Sequence, residues 1–280
     1  MILVLGATGT TGGEVARQLI ATGHKPRVLV HDPAKAREYQ GKAEIVRVDL
    51  ARPDSLGPAM KGAEKLYLVS TGADGPALEA NAIEAARKAG VRHVVKLSAM
   101  GADNPVMTFG RWHAQSEERL RKSGLQWTML RPVNFMTNAL GWAATIKSEG
   151  AFYQPTGDGR WAAVDPADIG ALAVKALATP GHEGKIYTLT GPESLSASQY
   201  AATLSSVLGK PVRFVDVPPE AARGSMLKAM PALYVDALME LMAAMKAGKV
   251  DRVTDDVQKV TGRRAGTFEA WARRNIAAFR

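Results

Sequence analysis

The chain contains no cysteine. That absence excludes disulfides, thiolate metal sites and cysteine nucleophiles together, and it is the usage expected in a reducing cytoplasm. Long apolar runs are missing too: no stretch approaches the ~20 residues that a membrane-spanning helix needs. The opening residues carry no basic leader and their apolar run is short, so the sequence predicts a soluble, cytoplasmic protein without a secretion signal. The five histidines are dispersed, with no carboxylate constellation of ligand type, and no metal is expected. Tandem repeats, linkers and low-complexity tracts are also lacking.

A net charge of +9 raises the question of nucleic acid. Lysines and arginines are scattered among acids rather than gathered in blocks. In the densest patch Glu117 and Glu118 adjoin Arg119, Arg121 and Lys122, which reads as a solvated helix face. A basic cleft for an anionic cofactor accounts for the surplus as well as a DNA surface does, so nucleic acid is not the expected partner. A homodimer stays open, because one chain shows no symmetric interface.

What is present is a regular beat. The apolar runs ILVL (Ile2 to Leu5), RVLVH (Arg27 to His31), EIVRV (Glu44 to Val48), KLYLVS (Lys65 to Ser70), HVVKLS (His93 to Ser98) and WTMLR (Trp127 to Arg131) are short and rich in β-branched residues. Between them lie segments with apolar residues at helical spacing, and Gly23, Gly62, Gly90 and Gly124 follow where a left-handed C-terminal cap belongs. Strands apolar on both faces, joined by helices, predict an α/β fold with a doubly wound parallel sheet. The beat breaks near residue 135. The expected division is a dinucleotide-binding domain over 1–135 and a smaller α+β cap over 136–280 that completes the same fold. In the second part AFYQPTGDGRWAAV reads as a turn between short strands, and the chain from Glu220 onward reads as mostly helical.

Gly6, Gly9 and Gly12 stand between the first strand and the first helix. A turn this tight requires residues without a Cβ, and bare amides at a helix start favour a phosphate. Thr8, Thr10 and Thr11 add hydroxyl donors. Glycine spacing alone is weak, but its place in the first strand–helix turn of a βαβ series is the confirming context. An NAD site commonly has an acid ending the second strand, ~20 residues beyond the loop. His31 occupies that position here, while Asp32, before Pro33, is suited to cap the next helix. His31, Lys35 and Arg27 then leave a mildly positive pocket that favours NADP(H) over NAD(H); a merely exposed strand-end histidine is the competing reading of His31. Asp49 and Leu50, ending the third strand, are placed to touch adenine, and Ser70, Thr71 and Gly72, ending the fourth, lie over the cofactor cleft.

Beyond the opening GATGTTG, the segments HDPAKA, VKLSAMGA, HAQSEERLRKSGLQWTMLRPVNFMTN and VDPADIGALAVKAL together resemble the NmrA-like atypical short-chain dehydrogenases, and within them the branch of bacterial NADPH quinone oxidoreductases and triphenylmethane reductases. The resemblance spans nearly the whole chain. It implies an NADP-binding Rossmann domain with a smaller C-terminal part closing a substrate cleft. It also implies that Pro132, Val133, Asn134, Phe135 and Met136 lie by the nicotinamide. Such families contain true reductases of quinones and dyes, and also proteins that bind the dinucleotide and report redox state without turnover.

Most short-chain dehydrogenases carry Tyr-x-x-x-Lys on a helix and a serine from strand five. This chain keeps Ser98 at the strand end, but its helix offers His113 and Glu117. Four residues apart, these two share a helix face. One reading has a protonated His113, steadied by Glu117, donating to a substrate oxygen; the other makes them a surface pair contributing a few tenths of a kcal/mol, ~0.2–0.5. Hydride transfer to a quinone needs little acid help, so a small quinone-like or aromatic acceptor fits a site without a strong acid. Phe135, Met136 and Trp142 are the candidate substrate contacts. Phe152 and Trp161 join them as aromatics that either stack on substrate or simply pack, and the methionine-rich Leu233 to Met245 segment is read as core or permissive pocket.

Overall fold

The computed structural model describes all 280 residues, Met1–Arg280. The chain divides into two units, one of Met1–Pro132 and Pro166–Thr188, the other of Val133–Asp165 and Leu189–Arg280.

The first unit is built on six strands that alternate with helices: β1 (Ile2–Leu5), β2 (Arg27–Val30), β3 (Glu44–Arg47), β4 (Lys65–Leu68), β5 (His93–Leu97) and β6 (Gln126–Pro132). Their order is β3-β2-β1-β4-β5-β6, every pairing is parallel, and β9 (Lys185–Leu189) follows β6 at the far edge. The helices are α1 (Thr10–Ala21), α2 (Leu56–Met60), α3 (Gly75–Lys88), α4 (Thr108–Lys122) and α6 (Pro166–Ala178). Leu3, Leu29, Leu66, Val94 and Met129, one from each of five strands, share a core cluster with Leu56, Met60, Ile83 and Leu120 from the helices. Strands covered on both faces have no solvent side, which is why they read as continuous apolar runs. A parallel sheet puts every strand's carboxyl end at one edge, and the strand order reverses between β1 and β4. That switch point is where the glycine turn lies.

The expected break at residue 135 does not separate two contiguous halves. Pro166–Thr188 returns to the first unit: α6 packs on α1, where Gly170 admits the flank of Glu14 and Gln18 at a distance no Cβ would tolerate, 2.8 Å. Gln18 also donates to the Ala167 carbonyl at 2.8 Å.

The second unit contains α5 (Ala143–Glu149), β7 (Ala151–Gln154), β8 (Arg160–Trp161), β10 (Leu195–Ser196), α7 (Ala197–Leu208), β11 (Arg213–Asp216), α8 (Pro219–Met226), α9 (Ala232–Lys246), α10 (Asp256–Thr261) and α11 (Phe268–Arg274). β7 and β8 are the two short strands expected across AFYQPTGDGRWAAV, but they do not pair with each other. β7 pairs in parallel with β11 and β8 antiparallel with β10, and the expected turn lies between them, closed by the Gly159 amide on the Thr156 carbonyl at 2.9 Å. No helix in the chain is long and apolar enough to cross a membrane.

Candidate functional site

Two places in the chain are candidate ligand sites by their geometry. The first is the turn after β1. Gly6 has φ +66, and the Gly9 N–H donates to its carbonyl at 2.8 Å, closing the turn. A Cβ on Gly12 would stand 2.3 Å from the Gly6 oxygen and 2.6 Å from the Leu5 oxygen, so helix and strand meet only because Gly12 has none. α1 begins at Thr10 with Gly9 as its N-cap and no side chain capping it. The amides of Thr10, Thr11 and Gly12 therefore lack intrahelical partners and concentrate the positive end of a 12-residue helix at one point. The donor set fits a diphosphate. Thr8 and Thr10 are exposed beside it, whereas the Thr11 side chain is buried against Tyr67. Sequence reasoning missed Tyr39, whose buried hydroxyl donates to the Ala7 carbonyl at 2.8 Å and ties the turn down. Tyr39→Phe should weaken dinucleotide binding a few-fold and lower stability by about 1 kcal/mol, checked by titration and urea melts.

The remaining cofactor candidates of the first unit fall at the same sheet edge, after β2 (His31, Lys35), β3 (Asp49, Leu50), β4 (Ser70, Thr71, Gly72) and at the end of β6 (Pro132). His31 and Lys35 are exposed, and Asp32 caps the following 3-10 turn by accepting from the Ala34 amide at 2.9 Å. Arg27 does not belong with them. It opens β2 at the opposite end from His31 and donates to the carbonyls of Ala59 and Lys61. Asp49 turns its carboxylate to the Ala51 amide, and the Ser70 hydroxyl donates to the Gly75 carbonyl. Val133, Asn134 and Phe135 belong to the second unit.

The trio Ser98, His113 and Glu117 is arranged differently from the expectation. Glu117 is fully buried, and one oxygen accepts from Ser98 Oγ (2.6 Å) and Arg131 Nε (2.9 Å), the other from Arg131 Nη2 (2.7 Å) and Arg121 Nη2 (2.8 Å). A carboxylate offers about four lone-pair positions, and all are taken. Burial pushes its pKa up, but the Arg131 and Ser98 hydrogen bonds outweigh that and hold it below the usual carboxylate range. Glu117 is thus a structural anion and does not steady a protonated His113. The imidazole is neutral, its pKa pushed down to about 3, first by burial and then by the Lys96 ammonium. Lys96 was absent from the sequence reading, although a lysine inside an otherwise apolar buried strand was the available signal. His93 is likewise lowered to about 4, chiefly by burial.

These two histidines set a pH dependence. Each unfolded ring takes a proton near pH ~6.5 while the folded ring refuses it, so the unfolded state binds more protons below that pH. Stability should fall as pH drops from about 6.5, by up to about 1.4 kcal/mol per pH unit for each ring, and His113→Gln should remove one ring's share. Urea melts at a series of pH values check the slope.

The second place lies wholly in the second unit, a cavity of about 670 Å³. Phe135, Met136 and Trp142 are in its wall, with Trp161 and Tyr200 beside them. Helices α8 and α9 supply Met226, Leu238, Met242 and Met245, and polar groups come from Asn134, Asn138, Gln154 and Tyr234. No aspartate, glutamate, lysine, arginine or histidine lines it. Trp142 stacks on Phe152 with centroids 4.1 Å apart and 8° between planes. Phe152 itself is fully buried and packs. Asn134 is pinned by the Val164 amide to its carbonyl (2.8 Å) and by Asn138 Nδ2 to its side-chain oxygen (3.1 Å). No group of three or more acids or histidines is placed to hold a metal ion.

The sheet, its switch point and the bare amides after β1 define a dinucleotide-binding protein of Rossmann type. Residues 6–180 match the family model described as NAD(P)H-binding, and the chain belongs to that family. It is 41% identical over 284 residues to the NAD(P)H azoreductase of Xenophilus azovorans, covering 100% of this chain and 99% of that protein. Among solved structures, the NADPH-dependent quinone oxidoreductase of Escherichia coli complexed with NADPH superposes with TM-score 0.89 at 28% identity, over 99% of this chain and 100% of the other. The triphenylmethane reductase of Citrobacter sp. gives TM-score 0.86 at 26% identity, over 99% of each chain.

Proposed function

We propose that the chain is an NADPH-dependent oxidoreductase that reduces a small, uncharged, planar aromatic acceptor of quinone or azo type. The dinucleotide belongs to the glycine turn of the first unit and the acceptor to the cavity of the second. When bound, the dinucleotide supplies a hydride. The chain's own contribution is to hold the diphosphate on the amides of Thr10, Thr11 and Gly12 and to present apolar aromatic surface to the acceptor.

The observation that carries this reading is the composition of the cavity wall. A wall of tryptophan, tyrosine, phenylalanine and methionine favours flat aromatic ligands by stacking and by soft sulfur contact. With no ionisable acid, lysine, arginine or histidine in that wall, a phosphorylated or carboxylated substrate would lose its hydration without gaining a charged partner. Nucleotide-sugar chemistry is disfavoured on that ground and by the lack of Tyr-x-x-x-Lys. Two relatives' names, azoreductase and quinone oxidoreductase, agree with it, while a third relative, 37% identical, is named as the reductase of a methyl phosphate.

The test is NADPH consumption with a panel of quinones and azo compounds. Turnover with uncharged members is expected, whereas tight NADPH binding without turnover across the panel would favour a redox-sensing regulator. Leu238→Trp, which fills the cavity, should raise KM for bulky acceptors about tenfold and leave NADPH affinity unchanged; equal loss of both would place the acceptor elsewhere. Preference for NADPH rests on His31 and Lys35. Replacing both by alanine should weaken NADPH at least tenfold more than NADH, since each charge-assisted contact to a phosphate contributes about 1.5–3 kcal/mol.

A further inference from the structure

Lys96 stands in the middle of the first unit's sheet with no solvent contact. An ammonium has three N–H donors and no acceptor, and three groups surround this one. Nζ is 2.7 Å from Glu79 Oε2, 2.9 Å from the Leu97 carbonyl and 3.5 Å from His113 Nδ1. Glu79 is itself fixed, its other oxygen accepting from the Ser70 amide at 3.2 Å. Two of the three partners are oxygens that can only accept. The third satisfies the ammonium only if Nδ1 carries a lone pair. A proton there would set donor against donor, and a fully protonated ring would add a second positive charge beside the first.

We propose that Lys96, anchored by Glu79, is a positioning residue that locks His113 as the neutral Nε2–H tautomer and so makes it a fixed hydrogen-bond donor to an oxygen atom of bound ligand. The charged groups around the ring come from four elements: Lys96 on β5, Glu79 on α3, Glu117 on α4 itself and Arg131 on β6. Glu117, the acid on the ring's own helix, has no lone pair left to draw a proton to it. The depressed basicity of His113 agrees with this arrangement. The ring's site is at the carboxyl edge of the sheet, the edge that carries the glycine turn.

A neutral imidazole N–H does not give up its proton near neutrality. It stabilises an oxygen that is negative, or becoming negative, by hydrogen bonding alone. The amide and ribose oxygens of a dinucleotide bound to the same unit are acceptors for that N–H, whereas the aromatic cavity of the second unit has no histidine in its wall. The ligand's identity rests on the function proposed above, but the tautomer does not.

Histidine-selective 15N labelling of the ligand-free protein tests the tautomer directly, with His113 identified by the signals that His113→Gln removes. The expected spectrum is that of an Nε2-protonated neutral ring, unchanged from about pH 5 to 8, the range in which an ordinary histidine titrates. An Nδ1-protonated ring, or one that titrates in this range, would overturn the proposal. Lys96→Met combined with Glu79→Gln removes both buried charges together, so that neither is stranded, and should convert the ring to a mixture of tautomers; an unchanged spectrum would deny Lys96 its role. For the donor function, His113→Leu should cost about tenfold or more and His113→Gln, which keeps an N–H, should recover most of it. Loss of NADPH affinity in calorimetry is the expected result and assigns the oxygen to the dinucleotide. Full retention of that affinity by His113→Leu contradicts a ligand contact.

Discussion

Gly12→Ala should lower NADPH affinity at least 100-fold. The added Cβ would meet three backbone atoms, the Gly6 oxygen at 2.3 Å, the Gly6 carbonyl carbon at 2.5 Å and the Leu5 oxygen at 2.6 Å. None of these can rotate away as a side-chain end would. The start of α1 must therefore move off β1, carrying the amides of Thr10, Thr11 and Gly12 out of register with a bound diphosphate. Loss of two charge-assisted hydrogen bonds of about 1.5–3 kcal/mol each corresponds to a factor of 100 or more. The displaced packing should also cost about 1–3 kcal/mol of stability. Gly9→Ala provides the contrast. Its Cβ would lie 3.3 Å from a single backbone oxygen, which a small shift relieves, so its loss of affinity should be several-fold. Calorimetric titration of both variants with NADPH, alongside their thermal melts, separates a lost binding turn from a lost fold. Equal affinities for the two would mean that the close approach of α1 to β1 does not govern binding.

The second large effect belongs to Glu117. Its removal leaves Arg131, whose side chain is 7% exposed and whose Nε and Nη2 both donate to that carboxylate, with only the exposed Asp103 at 3.5 Å from Nη1. Breaking a buried pair from one side costs about 3–5 kcal/mol, since the remaining charge keeps its desolvation without its partner. For a chain of this size that is a fall in Tm on the order of 10 °C. Glu117→Ala should melt accordingly. Glu117→Gln, which keeps the shape and loses the charge, should fall between it and the parent. Adding Arg131→Met to Glu117→Ala should recover part of the loss, because neither charge is then stranded. The pair also contributes to acid sensitivity. A carboxylate held below its ordinary pKa stabilises the fold fully above the unfolded value of ~4.3 and loses that contribution as pH falls through the folded one. Glu117→Ala should therefore melt with a shallower dependence on pH below about 4.

Much of this fold was legible in the residues. Each strand of β1–β6 appeared as a short apolar run, because a parallel strand covered on both faces has nothing polar to alternate with. The glycine turn was legible for a different reason, since three residues without a Cβ at that spacing have few other uses between a strand and a helix. The interleaving of the two units was hidden. Pro166–Thr188 returns to the first sheet through contacts with residues over a hundred positions away, and its local pattern, an amphipathic helix and a strand, suits either unit. β7, β8 and the turn between them were legible, but their pairing with β11 and β10 was not, because those partners are distant in sequence.

At the site, spacing placed His113 and Glu117 on one helix but said nothing of β6. Arg131 claims Glu117 from 14 residues away, and with it goes the charge expected to protonate the histidine. The neutrality of that ring is thus set first by burial and then by Lys96, a cation on a strand that the helical pattern does not show. The cavity wall was half visible. Phe135, Met136 and Trp142 were flagged by their aromatic and sulfur character, whereas the face that α8 and α9 turn toward the cavity depends on packing within the second unit.

The most direct measurement of the whole account is NADPH consumption by the wild-type chain on adding an uncharged benzoquinone, run beside Gly12→Ala. Steady consumption proportional to the protein concentration, and lost in the variant, is the predicted result. Saturable NADPH binding with no consumption of the nucleotide, for this and every other uncharged acceptor tried, would contradict it.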